Sequence, residues 1–527
     1  MVENESKGWV RGAFLLTLAG LISKVLSAGY RIPLQNLTGD IGFYIYQQVY
    51  PLLGMALVLS LYGFPSAVSK LTAESKAAGR TISFQNFYMP VLIILFTIMG
   101  SIAIVLFTNA NRLANLVGDM GLERAYQLAA LTLLVIPFTS LLRGVFQGNF
   151  QMKPTAYSQM GEQFLRVLII IFIAIYVSVS GTSLYHIGEG AAIASFCGGL
   201  VAFVILLLFI RKSKPLKTLD QVIPWKYYIR TLLLLGFIAS LNHMVLLLFQ
   251  FADAFTLIPA LTEYGFSRKE AMEAKGVLDR GQPLIQLGTV LGSSFALALI
   301  PSISTKRLKE NSNGFYHKVR SSLMIGFYIA VGATVGLIAI MHEANILLYQ
   351  DDKGTMDLQI LVVAILLSSL GITASTILQG LGYIKRTALF ILIALLLKWT
   401  LNQLLVPLLG ITGSALATIL ALLVFSLLML FELGRKLPNL ALTRHINWPT
   451  LFLATGGMLL YIFLVDLFIR IDLSRTGALI YVLFVAGTGA CIYFIILLRG
   501  RTFTENEMSM LPLSKVWLRL YKERKVK

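Results

Sequence analysis

The sequence predicts an all-α polytopic membrane protein of about fourteen transmembrane helices, and three observations carry that prediction. Apolar residues come in runs of about 20, the length that spans a hydrocarbon core about 30 Å thick. Tyr88–Phe107, Gly161–Val179, Ala191–Ile210, Leu358–Gly380 and Gly413–Phe431 are examples. Only 13% of the 527 residues are charged, and mean hydropathy is +0.78, where soluble domains carry about 25% charged residues. Basic residues also sort to one side of the expected spans. An ordinary soluble enzyme is excluded, and so is an outer-membrane barrel, whose strands alternate and stay short.

Taken in order, the spans are expected at 10–34, 42–64, 85–108, 125–149, 156–179, 188–210, 228–252, 277–303, 322–345, 358–382, 387–407, 411–433, 449–469 and 475–498. The first is not a cleavable signal peptide, because its apolar run continues to Leu34, carries Lys24 and Arg31 and lacks a small-residue cleavage site. A polar stretch, Glu263–Lys275, separates the seventh and eighth spans. With the N-terminus inside, 30 of the 44 Lys and Arg residues fall on the inner side and nine on the outer. This asymmetry predicts a multi-pass protein of the cytoplasmic membrane with both termini cytoplasmic. The net charge of +19 is then a property of inner loops and not a nucleic-acid footprint. Cys197 and Cys491 lie inside apolar runs and imply no disulfide framework.

An internal repeat orders the spans. Pro65-Ser66-Ala67-Val68-Ser69-Lys70 returns as Pro301-Ser302-Ile303-Ser304-Thr305-Lys306, 236 residues later. Gln147-Gly148, Lys153, Thr155-Ala156 and Arg166 return as Gln379-Gly380, Lys385, Thr387-Ala388 and Lys398, all at an offset of 232. Gly190-Ala191-Ala192 matches Gly413-Ser414-Ala415, 223 residues on. Two parallel six-helix lobes around a central cavity are therefore expected, with two extra C-terminal helices. The expected divisions are 1–217, 218–440, 441–498 for the extra pair, and 499–527 for a basic tail.

Ionisable residues inside spans cost about 2.5–3.5 kcal/mol each on insertion scales, and they persist where they face a cavity or a partner. Five cations lie at membrane depth: Lys24, Arg31, Arg143, Arg166 and Lys398. Lys24 and Arg31 are seven apart, about 20° in helical projection, and so share one face of an uninterrupted helix. That basic stripe suits a phosphate-bearing substrate. Asp253, Asp279 and Arg280 are further cavity candidates, with an Asp253–Arg280 ion pair as the structural alternative. Arg166 and Lys398, as repeat equivalents, are expected to hold structure, Arg166 through Glu162 and Lys398 through a backbone carbonyl. Arg143 with Gln147 reads the same way. Asn242-His243 are polar neighbours on span seven, either filler or a relay. Pro65, Pro301 and Glu74 mark the inner ends of spans two and eight as structural or gating positions.

No P-loop is present, so ATP hydrolysis is unsupported. His342-Glu343 lacks the second histidine of a zinc protease, and no catalytic or metal-ligating constellation occurs. A transporter and not an enzyme is expected, without a cofactor, with Na⁺ or H⁺ as possible coupling ions.

The chain resembles the multidrug/oligosaccharidyl-lipid/polysaccharide (MOP) exporter superfamily, and within it the polysaccharide-transporter branch of SpoVB-like proteins and MurJ-type lipid II flippases. Ser23-Lys24-Val25-Leu26 with Arg31-Ile32-Pro33, Leu71-Thr72-Ala73-Glu74-Ser75-Lys76, Leu278-Asp279-Arg280 with Pro283, and Ile300-Pro301-Ser302-Ile303-Ser304 carry the likeness. The resemblance implies a cationic cavity that receives a pyrophosphate, with Lys24 and Arg280 at the positions of two family arginines. It also implies a groove on spans 13 and 14 for a polyprenyl tail. The chain departs from the family in the spacing of its first-span cations and in having no arginine between Tyr44 and Phe64. The implied activity is a monomeric flippase for an undecaprenyl-pyrophosphate-linked saccharide, with that lipid-linked substrate and the bilayer as its partners. The alternatives are a cation-coupled drug antiporter of the same superfamily and a non-transporting scaffold for envelope assembly.

Overall fold

The computed structural model of the chain describes residues 2–79, 82–210, 223–299, 312–468 and 474–503. It is nearly all helical, with no strand among the described residues. Hydrocarbon offers no partner for a bare N–H or C=O, so a spanning segment must satisfy its backbone within itself. The first part of the chain forms α1 (Val2–Gly29), α2 (Arg31–Val58), α3 (Phe64–Ala77), α4 (Met89–Thr108), α5 (Ala110–Val117), α6 (Glu123–Thr132), α7 (Ile136–Gly148), α8 (Met152–Ser180) and α9 (His186–Ile210). There follow α10 (Trp225–Tyr264), α11 (Arg268–Asp279), α12 (Gly281–Leu299), α13 (Ser312–Ala339), α14 (Met341–Tyr349), α15 (Thr355–Leu361) and α16 (Ala364–Gly380). The last four are α17 (Ile384–Leu409), α18 (Ile411–Lys436), α19 (Trp448–Phe468) and α20 (Arg475–Arg499).

Twelve stretches of the described residues are long and apolar enough to cross a membrane. The first, Leu18–Ala77, is 60 residues long and covers the first two expected spans. They are joined at Gly39, whose φ of 67° is a left-handed value that costs glycine little and other residues more. The eighth expected span is α12, a 19-residue helix. Helix α10 is longer than expected. Its 40 residues reach about 60 Å at 1.5 Å each, so Asp253 lies within the helix and not at its end.

Prolines set several breaks. Pro33 has no N–H to return to the Gly29 carbonyl, and α1 ends at Gly29. Pro283 withholds the same bond from Asp279, the last residue of α11. Pro137 does so for Leu133, between α6 and α7. Lys24 is on α1 and Arg31 opens α2, and Tyr30 between the two helices keeps helical angles, φ −70° and ψ −18°, and donates its N–H to the Leu26 carbonyl at 3.2 Å. A π-helical turn, Leu59–Gly63, joins α2 to α3.

By compactness the chain falls into two units, one of Met1–Pro283 with Ile384–Ala421 and one of Leu284–Tyr383 with Leu422–Lys527. In the first, α8 lies along α9, α3 along α7, α10 along α17 and α3, and α11 against α2. In the second, α19 pairs with α20 and α13 with α16, around a core that includes Tyr328, Met458, Val485, Tyr493 and Leu497. Pro65 is buried at the start of α3. Glu74, near the end of α3, accepts a hydrogen bond from the Tyr227 hydroxyl at 2.5 Å and lies 3.8 Å from Lys70. Pro301 and most of the basic tail lie outside the described residues.

Candidate functional site

The first unit buries an unusual amount of charge, and the sequence explains where. Arg31 and Arg280 both stand at helix breaks made by the prolines that follow them. Side chains at such breaks project beside backbone that is no longer fully hydrogen-bonded, which membrane proteins tolerate only inside protein or along a cavity.

Arg280 is fully satisfied. Its Nε donates to Asp40 Oδ1 at 2.9 Å, and one terminal nitrogen donates to Oδ1 at 2.6 Å and to Oδ2 at 2.8 Å. Gln35 Nε2 donates to the same carboxylate at 3.0 Å. The contact depends on Gly276. A Cβ there would sit 2.2 Å from the Asp40 carbonyl oxygen, so only glycine lets α11 approach the corner at Gly39. Beside it, Lys275 Nζ donates to Asp279 Oδ2 at 2.6 Å and lies 5.5 Å from the Tyr44 ring centroid. Helix α11 is anchored at its start by a capping box. Ser267 Oγ accepts from the Glu270 N–H at 3.3 Å, and the Glu270 carboxylate accepts from the Ser267 N–H at 2.8 Å. That backbone donor holds the Glu270 carboxyl below the usual carboxylate range.

Arg31 is different. It is 0% exposed, and its three nitrogens make no well-formed hydrogen bond, with the Tyr30 hydroxyl beside them. Its guanidinium lies 3.9 Å from the Tyr50 ring centroid, in a group of tyrosines that includes Tyr30 and Tyr46, whose hydroxyls bond each other. It forms no ion pair among the described residues, although Asp279 is within electrostatic range. A desolvated cation–π contact contributes about 2 kcal/mol. Burying a charge costs several kcal/mol per ion, so the ring alone does not offset it. A planar fork of donors without acceptors is the arrangement that takes a phosphate or carboxylate bidentately.

The other buried cations all have carboxylates. Arg143 donates to Glu162 at 2.7 Å, to Ser158 Oγ at 3.1 Å and to Ser60 O and Oγ at 3.2 and 2.8 Å. The π-helical turn is what presents the Ser60 carbonyl. Arg166 shares Glu162 at 3.4 Å, as its spacing predicts. Lys398 pairs with Asp253 at 2.6 Å and donates to the Ser414 carbonyl at 3.1 Å. The alternative Asp253–Arg280 pair is thus corrected: both residues are paired, Asp253 with Lys398 and Arg280 with Asp40. The reason is packing, since α10 lies along α17 and α11 lies against α2. Lys24 is half-buried on α1. His243 stacks on Tyr62 with ring centroids 4.3 Å apart, and Asn242 is buried.

Two features escaped the sequence reading. One is Asp40, marked only by its place after a glycine. The other is Asp119, fully buried, which accepts from Arg268 at 2.6 Å, Tyr185 at 2.8 Å and Tyr44 at 3.1 Å. Burial, and then the hydrogen bond to Asp119, push the Tyr185 hydroxyl well above the usual tyrosine range.

The second unit contributes an apolar cavity of about 380 Å³. Leu287 and Leu291 of α12, Gly336 of α13, Met458 of α19 and Val485 and Gly489 of α20 are among its walls. The Tyr493 hydroxyl at its edge is spent on the Tyr328 carbonyl at 2.8 Å. Nothing in this lining asks for a polar ligand.

A family model described as polysaccharide biosynthesis protein matches residues 9–307. The chain is 38% identical over 516 residues to the uncharacterized membrane protein YabM of Bacillus subtilis, covering 96% of this chain and 95% of that one. It is 26% identical over 449 residues to the lipid II flippase MurJ of Bacillus subtilis, covering 78% and 80%. A solved structure of the lipid II flippase MurJ in an inward closed conformation superposes with a TM-score of 0.68 at 14% identity, covering 92% of this chain and 98% of that one.

Proposed function

Since the chain belongs to the polysaccharide biosynthesis protein family, in the MurJ-like part of the MOP exporter superfamily, we propose that it is a flippase for an undecaprenyl-pyrophosphate-linked saccharide. It carries that lipid across the cytoplasmic membrane by alternating access, both termini facing the cytoplasm. Such a molecule joins a polar head with two phosphates to a long apolar tail. Moving it requires a cation for the head inside the membrane and an apolar surface for the tail.

The observation that carries the reading is Arg31. It is a fully buried guanidinium, held among tyrosines, with no carboxylate paired to it among the described residues and no donor in a well-formed hydrogen bond. A phosphate oxygen pair answers that donor set and converts a cost into a charge-assisted contact. The apolar cavity of the second unit fits an isoprenoid chain in the same sense. A drug antiporter would need a carboxylate ready for a cationic substrate. Asp40, Asp253 and Asp279 are each engaged by a cation already.

The test is a lipid-flip assay in vesicles containing the full-length protein. One lipid carries a saccharide on undecaprenyl pyrophosphate, and a second carries the same sugar and tail without a phosphate. Protein-dependent movement of the first and not the second is expected. Equal movement of both would contradict a site built for the pyrophosphate.

A further inference from the structure

The Lys398 ammonium sits in more oxygen than a lysine needs. Its Nζ has five oxygens around it: Asp253 Oδ1 at 2.6 Å, Thr418 Oγ1 at 2.8 Å, Asn402 Oδ1 at 2.9 Å, and Ser414 O and Oγ at 3.1 Å each. An ammonium has three protons. Five oxygens converging on one point from three helices, α10, α17 and α18, form a coordination shell and not a simple salt bridge. The shell mixes one carboxylate with a carbonyl, an amide oxygen and two hydroxyls, all hard oxygen donors of the kind that replace the hydration of a small cation.

The shell is also held in place from behind. Asn402 Nδ2 donates to Asp253 Oδ1 at 2.8 Å and to Thr256 Oγ1 at 2.7 Å. Ser414 Oγ donates to Asp253 Oδ1 at 3.1 Å, and Thr418 Oγ1 to Ser414 O at 2.9 Å. Outer bonds of this type orient the ligands of cation sites. The repeat does not require such a cage. Arg166, the equivalent of Lys398, has a single acid four residues away on its own helix, and its Nε has no partner.

We propose that these five oxygens constitute a monovalent-cation site whose occupant is supplied by the chain itself: the Lys398 ammonium fills the place of a free Na⁺ or K⁺. The ammonium balances Asp253 at every external salt composition, because it cannot dissociate. The protein therefore takes no free alkali cation at this point. Lys398→Ala removes the tethered cation and leaves a site of one carboxylate and four neutral oxygens for a free one. The inference concerns ion binding and stands independently of which lipid is carried.

The test is thermal unfolding of the purified full-length protein in NaCl, KCl and choline chloride at equal ionic strength. The probes are the alkali ions themselves. For the wild type, equal midpoints in the three salts are expected. For Lys398→Ala, Na⁺ or K⁺ is expected to raise the midpoint above its choline value by about 3 °C or more, saturating with salt concentration. Lys398→Ala combined with Asp253→Asn should lose that shift. Recovery of folded Lys398→Ala only when NaCl or KCl is present during purification is the same result in stronger form. A saturable alkali-ion shift in the wild type that Asp253→Asn abolishes would overturn the proposal. So would a Lys398→Ala protein indifferent to the three salts, or one that fails to fold in all of them.

Discussion

Arg31 and Arg280 are two fully buried arginines at proline-made helix breaks in the same unit, yet they are treated in opposite ways. Arg280 meets Asp40 through three short contacts and is closed off chemically. Arg31 meets the face of Tyr50 and the neighbouring tyrosine hydroxyls, and no carboxylate among the described residues. The difference teaches that a charge at membrane depth is not by itself the mark of a binding site. Both arginines carry the same insertion cost. What separates them is unspent donor capacity. Arg280 has become part of the scaffold joining α11 to the corner at Asp40, and Arg31 retains the chemistry of an anion receptor.

The comparison breaks most visibly at Arg280. Arg280→Ala leaves Asp40 buried beside Gln35 without its counter-charge, and Asp40→Ala leaves the arginine stranded. Each should cost about 3–5 kcal/mol, read as lost expression or a lower unfolding midpoint. Arg280→Met with Asp40→Leu should recover most of that loss, because the pair is removed as a unit. If either single variant is as stable as the wild type, Arg280 is not a structural cation and the contrast with Arg31 fails.

Arg31→Met should behave in the reverse sense. It removes a buried charge that no acid pairs with directly, so the unfolding midpoint should be unchanged or higher. A loss of several kcal/mol would mean that Arg31 has a structural partner of its own. A smaller effect is expected at Tyr50→Leu, which removes the ring and keeps the arginine. The loss of the cation–π contact should lower stability by about 1–2 kcal/mol. In an Arg31→Met background the same substitution should cost measurably less, and equal costs in both backgrounds would show that the ring and the guanidinium do not interact.

Much of this architecture is legible in the sequence. Long apolar runs gave the helices, since a bilayer restricts a segment of that length to one conformation. Arg166 with Glu162 is local, four residues on one helix, and was readable for that reason. Lys398 with the Ser414 carbonyl followed the same logic of a structural role. The partners of Arg280 and Asp253 were not readable. Asp40 is 240 residues from Arg280 in sequence, and its selection depends on Gly276 allowing α11 to come within contact of a backbone oxygen. Pro33, readable in the sequence, marks the boundary between α1, which carries Lys24, and α2, which Arg31 opens.

The central claim is that Arg31 receives the anionic head of the lipid. The most direct measurement is the initial rate of flipping of an undecaprenyl-pyrophosphate-linked saccharide in vesicles, normalised to folded protein, for the wild type, Arg31→Met and Arg31→Lys. Loss of a charge-assisted contact predicts a fall of about 10–100-fold for Arg31→Met at undiminished stability. Arg31→Lys should be intermediate, keeping the charge while losing the planar fork and the stack on Tyr50. A wild-type rate in well-folded Arg31→Met would contradict the account.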